Sequence, residues 1–386
     1  MNKVIYLDNA AATPIDRRVS DAIHRASRVF GNPSSPHRIG RAADEALRGA
    51  RDSVAKFLHA RRDEVVFCGS GSEANTLAIL GVLRGASGRG GVVTTPIEHA
   101  SVLAAAQRAK LGGHSVVYAP VDRYGLVSVE DVLRACTKHT RIISIAYANN
   151  EIGSVQPISK IARAVAGLRR SRGSSYPVLH VDACQATEYL DMDVQRLGVD
   201  LLTLNGAKAH GPHGVAILYV RRGVVLEPLI LGGSQELGMR AGTEDVVGAI
   251  GLAKALSLVR ASDAVRVCKL RDYCIKEIQR IAPDAVVSGA LGDGRVANNI
   301  HISFPRTDSE NLVLEFDRRG ICVGSGSACT AHSTEPSHVL RAIQTPEEVV
   351  HGAVRASLSR ETTKKDLQVF LKELPSVVAR VRARRV

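Results

Sequence analysis

The chain has 386 residues, 45% hydrophobic and 23% charged, a composition typical of a globular protein with a large core and room for two domains. No apolar run approaches the roughly 20 residues that cross a bilayer, which argues against a membrane-spanning protein. Residues 1–8 lack the apolar stretch of a secretory signal, so we expect a cytoplasmic protein. Seven scattered cysteines without a C-x-x-C pair indicate neither a disulfide framework nor a structural metal site.

The charge is strongly basic. The 51 Lys and Arg residues outnumber 38 Asp and Glu, which gives a net charge of +13, and Arg380–Arg385 is a basic segment. Basic surfaces attract nucleic acids or acidic proteins. With no tryptophan and 4% aromatic residues there is little for base stacking, so direct nucleic-acid binding is not expected. The basic segment is either a docking surface for an acidic partner or a solvated helix end.

The first part of the chain alternates small-residue loops with apolar segments. Asp8–Pro14 follows a short apolar strand, and its small side chains allow the backbone to approach a ligand. Gly31–His37 is a loop rich in turn-forming residues. From Arg38 to Ala60 apolar residues recur at three- and four-residue steps, which predicts an amphipathic helix. Glu64–Cys68 then has the pattern of a strand.

A glycine-rich turn joins that strand to the next predicted helix, which runs to about Leu83. The turn, Gly69–Asn75, contains Gly71 and Ser72. A helix N-terminus with glycines and a serine hydroxyl offers free N–H groups and a favourable dipole, which suit a phosphate. An ordinary helix cap with a glycine-rich lead-in is the simpler interpretation.

The alternation of strand and helix continues through the middle of the chain. Predicted strands are Val92–Thr95, Val116–Ala119 and Ile142–Tyr147, and predicted helices are Val129–Cys136 and one that begins near Pro157. This alternation predicts a mostly parallel sheet with helices on both faces. Ligands of such sheets bind outside the carboxyl ends of the strands, so we expect the polar residues found there to converge on one crevice. They are Ser72, His99, Asn150 and Asp182.

An aspartate and a lysine beside buried strands indicate a specific cofactor. Asp182 ends the apolar part of Pro177–Gln185, and Lys208 follows the run Leu201–Leu204 in a glycine-rich turn. A desolvated lysine amine can hold an aldehyde cofactor as a Schiff base, and an aspartate can keep a pyridine nitrogen protonated. This pair fits pyridoxal phosphate (PLP). For Lys208 alone, an exposed turn lysine is the simpler alternative, as an ordinary loop histidine is for His99.

Beyond Lys254 the pattern changes, which predicts a second, smaller α+β domain. Helical periodicity covers Ala255–Ala282, and predicted strands and helices follow at Asn298–Phe304, Glu310–Arg319 and Ile321–Val323. We expect residues 15–254 to form the large domain and residues 1–14 with 255–386 to form the small one. The strands of the small domain are expected to pair with the N-terminal segment.

Three residues of the predicted small domain bear on chemistry. Cys329 lies among small residues in the segment Gly324–Ser333, which suits an accessible thiol. Cys322 lies on an apolar strand and is expected in the core. Arg355 lies within the apolar segment Val354–Leu358, and a partly buried arginine usually has a carboxylate partner.

A series of specific motifs occurs in order along nearly the whole chain. They are Tyr6–Ala11, Gly31–Ser35, Glu98–His99, Asn149–Gly153, His180–Asp182, Gly238–Thr243 and Ser325–Thr330. With these motifs the chain resembles the PLP-dependent cysteine desulfurases of the class V aminotransferase superfamily, which implies PLP fold type I. The last motif resembles the group with a long catalytic loop, as in sulfur donors for iron–sulfur clusters and for tRNA thiolation.

This resemblance implies how the cofactor is held. Lys208 would bind PLP covalently, His99 would stack on its ring, and Asp182 would pair with the ring nitrogen. Further contacts would come from Gly71, Ser72, Asn205 and Thr243 at the phosphate and from Asn150 and Gln185 at the phenolic oxygen. Thr243 would reach across from the second subunit of a homodimer.

The same resemblance implies the reaction and its partners. L-Cysteine would bind with its carboxylate on Arg355 and with help from Asn32 and Asn150, and Lys208 would remove its Cα proton. The thiolate of Cys329 would take the sulfur as a persulfide and leave L-alanine. The persulfide would pass to a sulfur-acceptor protein, either a cluster scaffold or a thiolation enzyme.

Two departures from the family pattern lie near the implied cofactor site. Relatives have Ser-Gly-His before the lysine, where this chain has Asn205-Gly206-Ala207. Their Gly-His-Glu-Arg-Gly becomes Gly-Ser-Gln-Glu-Leu-Gly at residues 233–238. These departures motivate one alternative, a degenerate PLP-binding scaffold protein. A selenocysteine lyase of the same superfamily is a second alternative.

Overall fold

The computed structural model describes residues 4–86, 88–325 and 336–384, which form two β-sheets and the helices packed around them. The strands are β1 (Ile5–Leu7), β2 (Val65–Cys68), β3 (Gly91–Thr94), β4 (Ser115–Tyr118), β5 (Thr140–Ala146), β6 (Val178–Asp182), β7 (Leu201–Asn205), β8 (Ala216–Val220), β9 (Val286–Val287), β10 (Asn299–Ser303), β11 (Ile321–Ser325) and β12 (Ala353–Ser357). The helices are α1 (Arg17–Ala26), α2 (Arg38–Leu58), α3 (Gly71–Gly85), α4 (Ala100–Leu111), α5 (Val129–Ala135), α6 (Ile158–Arg172), α7 (Val194–Leu197), α8 (Val246–Ser257), α9 (Ala261–Ile281), α10 (Ser309–Asp317), α11 (His338–Ala342), α12 (Glu347–Val350) and α13 (Lys364–Ala383).

The larger sheet has seven strands in the order β2-β8-β7-β6-β5-β3-β4. Strands β4, β3, β5, β6 and β7 run parallel to one another. Strand β8 lies antiparallel between β7 and β2. The prediction of a mostly parallel sheet is confirmed.

Helices cover both faces of this sheet. On one face, residues such as Leu47 of α2, Ile161 of α6 and Leu252 of α8 pack into the largest apolar core. On the other face, Leu77 of α3 and Ala105 of α4 pack into a second core. Because both faces are covered, successive residues of strands such as β2, β3 and β8 are all buried, and these strands appear in the sequence as continuous apolar runs. The edge strand β4 is mostly exposed.

The smaller sheet has five strands in the order β1-β11-β12-β10-β9. Strand β1 is parallel to β11, with Ile5 opposite Ile321 and Leu7 opposite Val323, so the predicted pairing with the N-terminal segment is confirmed. The other neighbours in this sheet are antiparallel. Helices α9, α10 and α13 contribute to its apolar core. The division of the chain at residue 254 stays a prediction.

Two expectations for the second half of the chain are wrong. The helical periodicity of Ala255–Ala282 belongs to two helices, α8 and α9, with extended backbone at Arg260 between them. The break is needed because α8 packs into the core of the large sheet and α9 into that of the small one. Cys322 is only half-buried, because its side chain lies on the face of β11 opposite to the buried Ile321 and Val323.

Candidate active site at the carboxyl ends of the parallel strands

A cavity of about 350 Å³ lies where the parallel strands of the large sheet end. The predicted site residues that line it are Gly71, Ser72, His99, Asn150, Asp182, Gln185, Asn205, Lys208 and Arg355. Asp182 is the last residue of β6, and Asn205 is the last residue of β7. The other residues from the large sheet follow β2, β3, β5, β6 and β7 within a few positions. The sheet thus gathers side chains that are far apart in sequence.

Lys208 sits in a 3-10 turn, Gly206–Lys208, and its side chain lines the cavity. Its Nζ donates hydrogen bonds to the carbonyl oxygen of Ala10, at 3.0 Å, and to that of Ala11. Gln185 also donates from Nε2 to the carbonyl of Ala10, at 2.9 Å. The small residues after β1 therefore allow the backbone to approach the lysine amine and satisfy it in a partly buried site.

Asp182 places a carboxylate in the cavity wall with only 7% of its surface exposed. Its Oδ2 accepts a hydrogen bond from Asn75 Nδ2 at 2.8 Å, and its Oδ1 accepts one from the backbone N–H of Cys184 at 3.0 Å. A buried carboxylate needs such donors, and these two fix its orientation. The group is suited to hold a protonated ring nitrogen.

The N-terminus of α3 forms another wall. Ser70 caps the helix by accepting the backbone N–H of Glu73 at 3.1 Å, and the first turn still offers N–H groups without an intrahelical acceptor. A Cβ at Gly71 would lie 3.0 Å from Cys184 Sγ and 3.5 Å from Asn205 Nδ2. A side chain here would crowd the Cys184 sulfur, so glycine suits this position beside the Asn205 amide. Such a helix end suits a phosphate.

Arg355 enters the cavity from β12 of the smaller sheet and is 1% exposed. Its Nη2 donates to Asp8 Oδ1 at 2.8 Å, and its Nη1 donates to the carbonyl oxygen of Asn150 at 3.0 Å. The expectation of a carboxylate partner for this arginine is confirmed, and the partner lies just after β1. A guanidinium in this place is suited to a substrate carboxylate.

Two described residues of the predicted site lie outside the cavity lining, and a third predicted residue is not among those the structure describes. Thr243 and Asn32 do not line the cavity, and both are exposed in the single chain. The Asn32 side chain accepts the backbone N–H of Ser34 at 2.9 Å, which shapes its own loop. Cys329 lies outside the described residues. The roles of Asn32, Thr243 and Cys329 stay predictions.

The structure adds residues that the sequence did not single out. Asn75 contacts Asp182, Ser101 contacts His99, and Asp8 pairs with Arg355. The sequence signal for Asn75 is a polar residue among the apolar residues of α3. In the structure Asn75 is 1% exposed, on a helix that otherwise buries apolar side chains. The group of described residues contains no cluster of side chains suited to a metal ion, and no described helix could cross a membrane.

Two buried carboxyl groups adjoin the cavity residues in sequence. Burial raises the pKa of Glu98 to about 8, although the Thr95 hydroxyl donates to it at 2.6 Å. Burial also raises the pKa of Glu151 to about 7, and the Ser337 hydroxyl donates to it at 2.5 Å. His338 Nε2 lies 3.0 Å from the Glu98 carbonyl oxygen. Residues 337 and 338 therefore tie the start of α11 to the turns that carry His99 and Asn150.

The chemistry of the residues that line the cavity fits PLP. An amine, a buried carboxylate and a helix N-terminus line one cavity, which matches the aldehyde, ring nitrogen and phosphate of that cofactor. At the helix end, Gly71 carries no side chain that would fill the space beside Cys184 and Asn205.

Comparisons with known proteins agree with the geometry. A profile of the class V aminotransferases matches residues 5–370. A curated relative, cysteine desulfurase IscS of Dictyoglomus turgidum, is 39% identical over 388 residues, which cover 99% of this chain and 96% of that protein. The solved structure of a NifS-like protein has a TM-score of 0.89 at 30% identity and covers 97% of this chain and 99% of its own. The structure of SspA in complex with cysteine has a TM-score of 0.79 at 32% identity, covering 93% and 99%.

The buried Glu98 predicts a pH-dependent stability. Its folded pKa of about 8 lies above the ordinary value of 4.5, so the folded chain holds a proton that the unfolded chain loses as pH rises. This contribution is fully present below pH ~4.5 and is lost as pH rises through ~8, at up to about 1.4 kcal/mol per pH unit. We expect Glu98→Gln to be near neutral at pH 5 and increasingly stabilising, relative to the parent, up to pH 8.

Urea unfolding of both proteins at pH 5, 6.5 and 8 checks this, at one fixed protein concentration. The exposed Glu45→Gln serves as the control and should show a difference from the parent that does not change with pH. A constant difference for Glu98→Gln would mean that Glu98 is ionised in the fold at neutral pH.

Proposed function

The chain belongs to the class V aminotransferase family, and we propose that within this family it is a PLP-dependent cysteine desulfurase. It converts L-cysteine to L-alanine and transfers the sulfur to one of its own thiols. The observation that carries this proposal is the single cavity lined by Lys208, Asp182, His99 and Arg355, which contains a group for each chemical role. The cysteine desulfurase and cysteine-complex relatives support it further.

Bound PLP supplies an electron sink that stabilises negative charge at the substrate Cα. Around it, Lys208 Nζ would hold the cofactor aldehyde and would serve as the base that moves the Cα proton. Asp182 would keep the ring nitrogen protonated, and His99 would lie against the ring. Arg355 holds the substrate carboxylate, since its buried guanidinium already has the planar geometry for two parallel hydrogen bonds.

Cys329 is the proposed sulfur acceptor within the chain. In this step the C–S bond of cysteine breaks, an S–S bond forms at the Cys329 sulfur, and the carbon gains a hydrogen to become the methyl group of alanine. The oxidised product is the persulfide, and the reduced product is the alanine methyl. Support comes from the sequence motif at Ser325–Thr330. The links from Ser337 and His338 to the cavity turns anchor the chain soon after this motif.

A homodimer completes the proposed phosphate site. Thr243 of each subunit would reach the cavity of the other, which accounts for its exposure in the single chain. Several large apolar side chains near it are exposed and suit an interface: Ile230 (42%), Leu231 (77%) and Leu237 (53%). The protein is proposed to act in the cytoplasm.

The persulfide sulfur then passes to an acceptor protein, proposed to be an acidic cluster scaffold or thiolation enzyme. The basic C-terminal helix α13 is partly neutralised within the chain. Glu315 Oε1 lies 2.9 Å from Arg384 Nη1 and 3.5 Å from Arg380 Nε. Asp284 Oδ2 lies 2.5 Å from Arg382 Nη2. The side chains of Arg380 and Arg384 remain 56% and 45% exposed, so they retain donors for an acidic partner.

The function is tested by giving the PLP-loaded protein L-cysteine and a thiol reductant. We expect equal amounts of alanine and sulfide, and a loss of about a hundredfold or more in Lys208→Ala, since positioned acid–base groups contribute at least that much. Cys329→Ser should bind cysteine without releasing alanine. Cys322→Ser is the matched control and should keep the parent rate, because this half-buried thiol does not line the cavity.

Alanine without sulfide, or no alanine at all, would contradict the proposed function, and the second result favours the PLP-binding scaffold. L-Selenocysteine, given as a competing substrate, tests the alternative that the protein is a selenocysteine lyase. The proposal holds if kcat/KM for L-cysteine is at least comparable to that for L-selenocysteine.

Ala207 predicts weak cofactor retention during turnover. Its side chain offers no donor where relatives have histidine, and its backbone N–H is bound to Asn205 Oδ1 at 3.1 Å. One lost hydrogen bond to a charged phosphate corresponds to about 1.5–3 kcal/mol, or about ten- to a hundredfold in affinity. We expect the protein to lose PLP on dialysis with cysteine and Ala207→His to slow that loss, as followed by absorbance. Ala104→His, on the exposed face of α4, is the control, and equal retention in all three proteins would refute the argument.

A further inference from the structure

A chain of hydrogen bonds joins His99 to Asp182 along the cavity wall. His99 Nδ1 lies 2.8 Å from Ser101 Oγ, and Asn75 Nδ2 donates to Ser101 Oγ at 3.0 Å. The same Asn75 Nδ2 donates to Asp182 Oδ2 at 2.8 Å. The two end residues of this chain are the ones proposed to contact the PLP ring, at its face and at its nitrogen. Asn75 and Ser101 also line the cavity.

The direction of each bond follows from the donors available. The Asn75 amide cannot be turned over, because Oδ1 would then face the acceptor oxygen of the Asp182 carboxylate. Asn75 Nδ2 has two protons, one for Asp182 and one for Ser101. The Ser101 hydroxyl, which accepts from Asn75, keeps its own proton to donate to His99 Nδ1.

The backbone leads to the same assignment for His99. The N–H of Ser101 also points at His99 Nδ1, at 3.1 Å, because His99 is the N-cap of α4. Two donors directed at Nδ1 require an acceptor there. The imidazole therefore carries its proton on Nε2, at the opposite side of the ring.

We propose that Ser101 and Asn75 are positioning residues that hold His99 as the Nε2–H tautomer and fix its ring relative to the Asp182 carboxylate. Neither touches a reacting atom. Asn75 is 1% exposed and bridges α3 to β6 through its hydrogen bond to Asp182. The proposal rests on the proposed function for its kinetic consequence, whereas the tautomer is a property of the protein itself.

Nitrogen NMR of the PLP-loaded protein labelled at histidine tests the tautomer, with His99→Asn to assign the signal. The expected result is an unprotonated Nδ1 and a protonated Nε2 at neutral pH. Ser101→Ala should move the Nδ1 resonance, because a hydroxyl donor is lost. Ser101→Thr, which keeps the hydroxyl, should leave it near the parent position. A proton on Nδ1 in the parent protein would overturn the proposal.

Kinetics test the positioning role independently. Ser101→Ala and Asn75→Ala should each lower kcat about two- to tenfold with KM for cysteine little changed, the range expected for one hydrogen bond. The double variant should lose no more than the larger single loss, because both belong to one chain. Ser101→Thr should restore kcat, and Gln107→Ala, exposed on the same helix, is the control.

If the two losses in kcat multiply in the double variant, Ser101 and Asn75 act independently. That result would overturn the proposed chain of hydrogen bonds. Failure of the desulfurase function has a different signature. In that case the parent protein makes no alanine from cysteine, while the His99 tautomer and its response to Ser101→Ala remain measurable.

Discussion

A lysine amine withdrawn from water needs acceptors, and the backbone just after β1 supplies them to Lys208. The carbonyls of Ala10 and Ala11 accept its Nζ, and Thr13 fastens the same segment to the lysine turn. Thr13 donates to the Ala207 carbonyl from its N–H and its hydroxyl, at 2.9 and 3.0 Å, and accepts His210 N–H at 2.8 Å. The N-terminal strand belongs to the small sheet and the lysine turn to the large one. The cavity therefore forms where this segment holds the two sheets together.

Charged contacts reinforce the same junction. Arg355 reaches from β12 to Asp8 and to the Asn150 carbonyl. Arg360 pairs with two carboxylates: its Nη2 lies 2.9 Å from Asp16 Oδ2, and its Nη1 lies 3.1 Å from Glu188 Oε1. Breaking one partner of such a buried pair leaves an uncompensated charge, which costs about 3–5 kcal/mol. The proposed substrate-binding arginine is thus also part of what aligns the two sheets. The buried Arg355 guanidinium is held by its contacts with Asp8 and Asn150 and not by side chains at the surface.

Much of this arrangement was predictable from the sequence, for a physical reason. Continuous apolar runs between helical segments predict parallel strands, and the polar residues that follow them must meet at one edge, as Asp182 and Lys208 do. Periodicity contains no information about partners from distant segments, so the contact of Asn75 with Asp182 and the pairing of Asp8 with Arg355 could be found only in the fold. Periodicity also missed the break between α8 and α9, since apolar residues continue across it and only the different cores of the two helices require it.

We propose that Lys208 holds PLP in this cavity, with Asp182 at the ring nitrogen. Borohydride reduction of the yellow, PLP-loaded protein makes the bond between lysine and cofactor permanent, and mass spectrometry of its peptides then locates the pyridoxyl group. We expect one modification, on Lys208, and only weak modification of the Asp182→Ala variant. Modification of another lysine, such as Lys254 or Lys110, or no modification of the loaded protein, would contradict it.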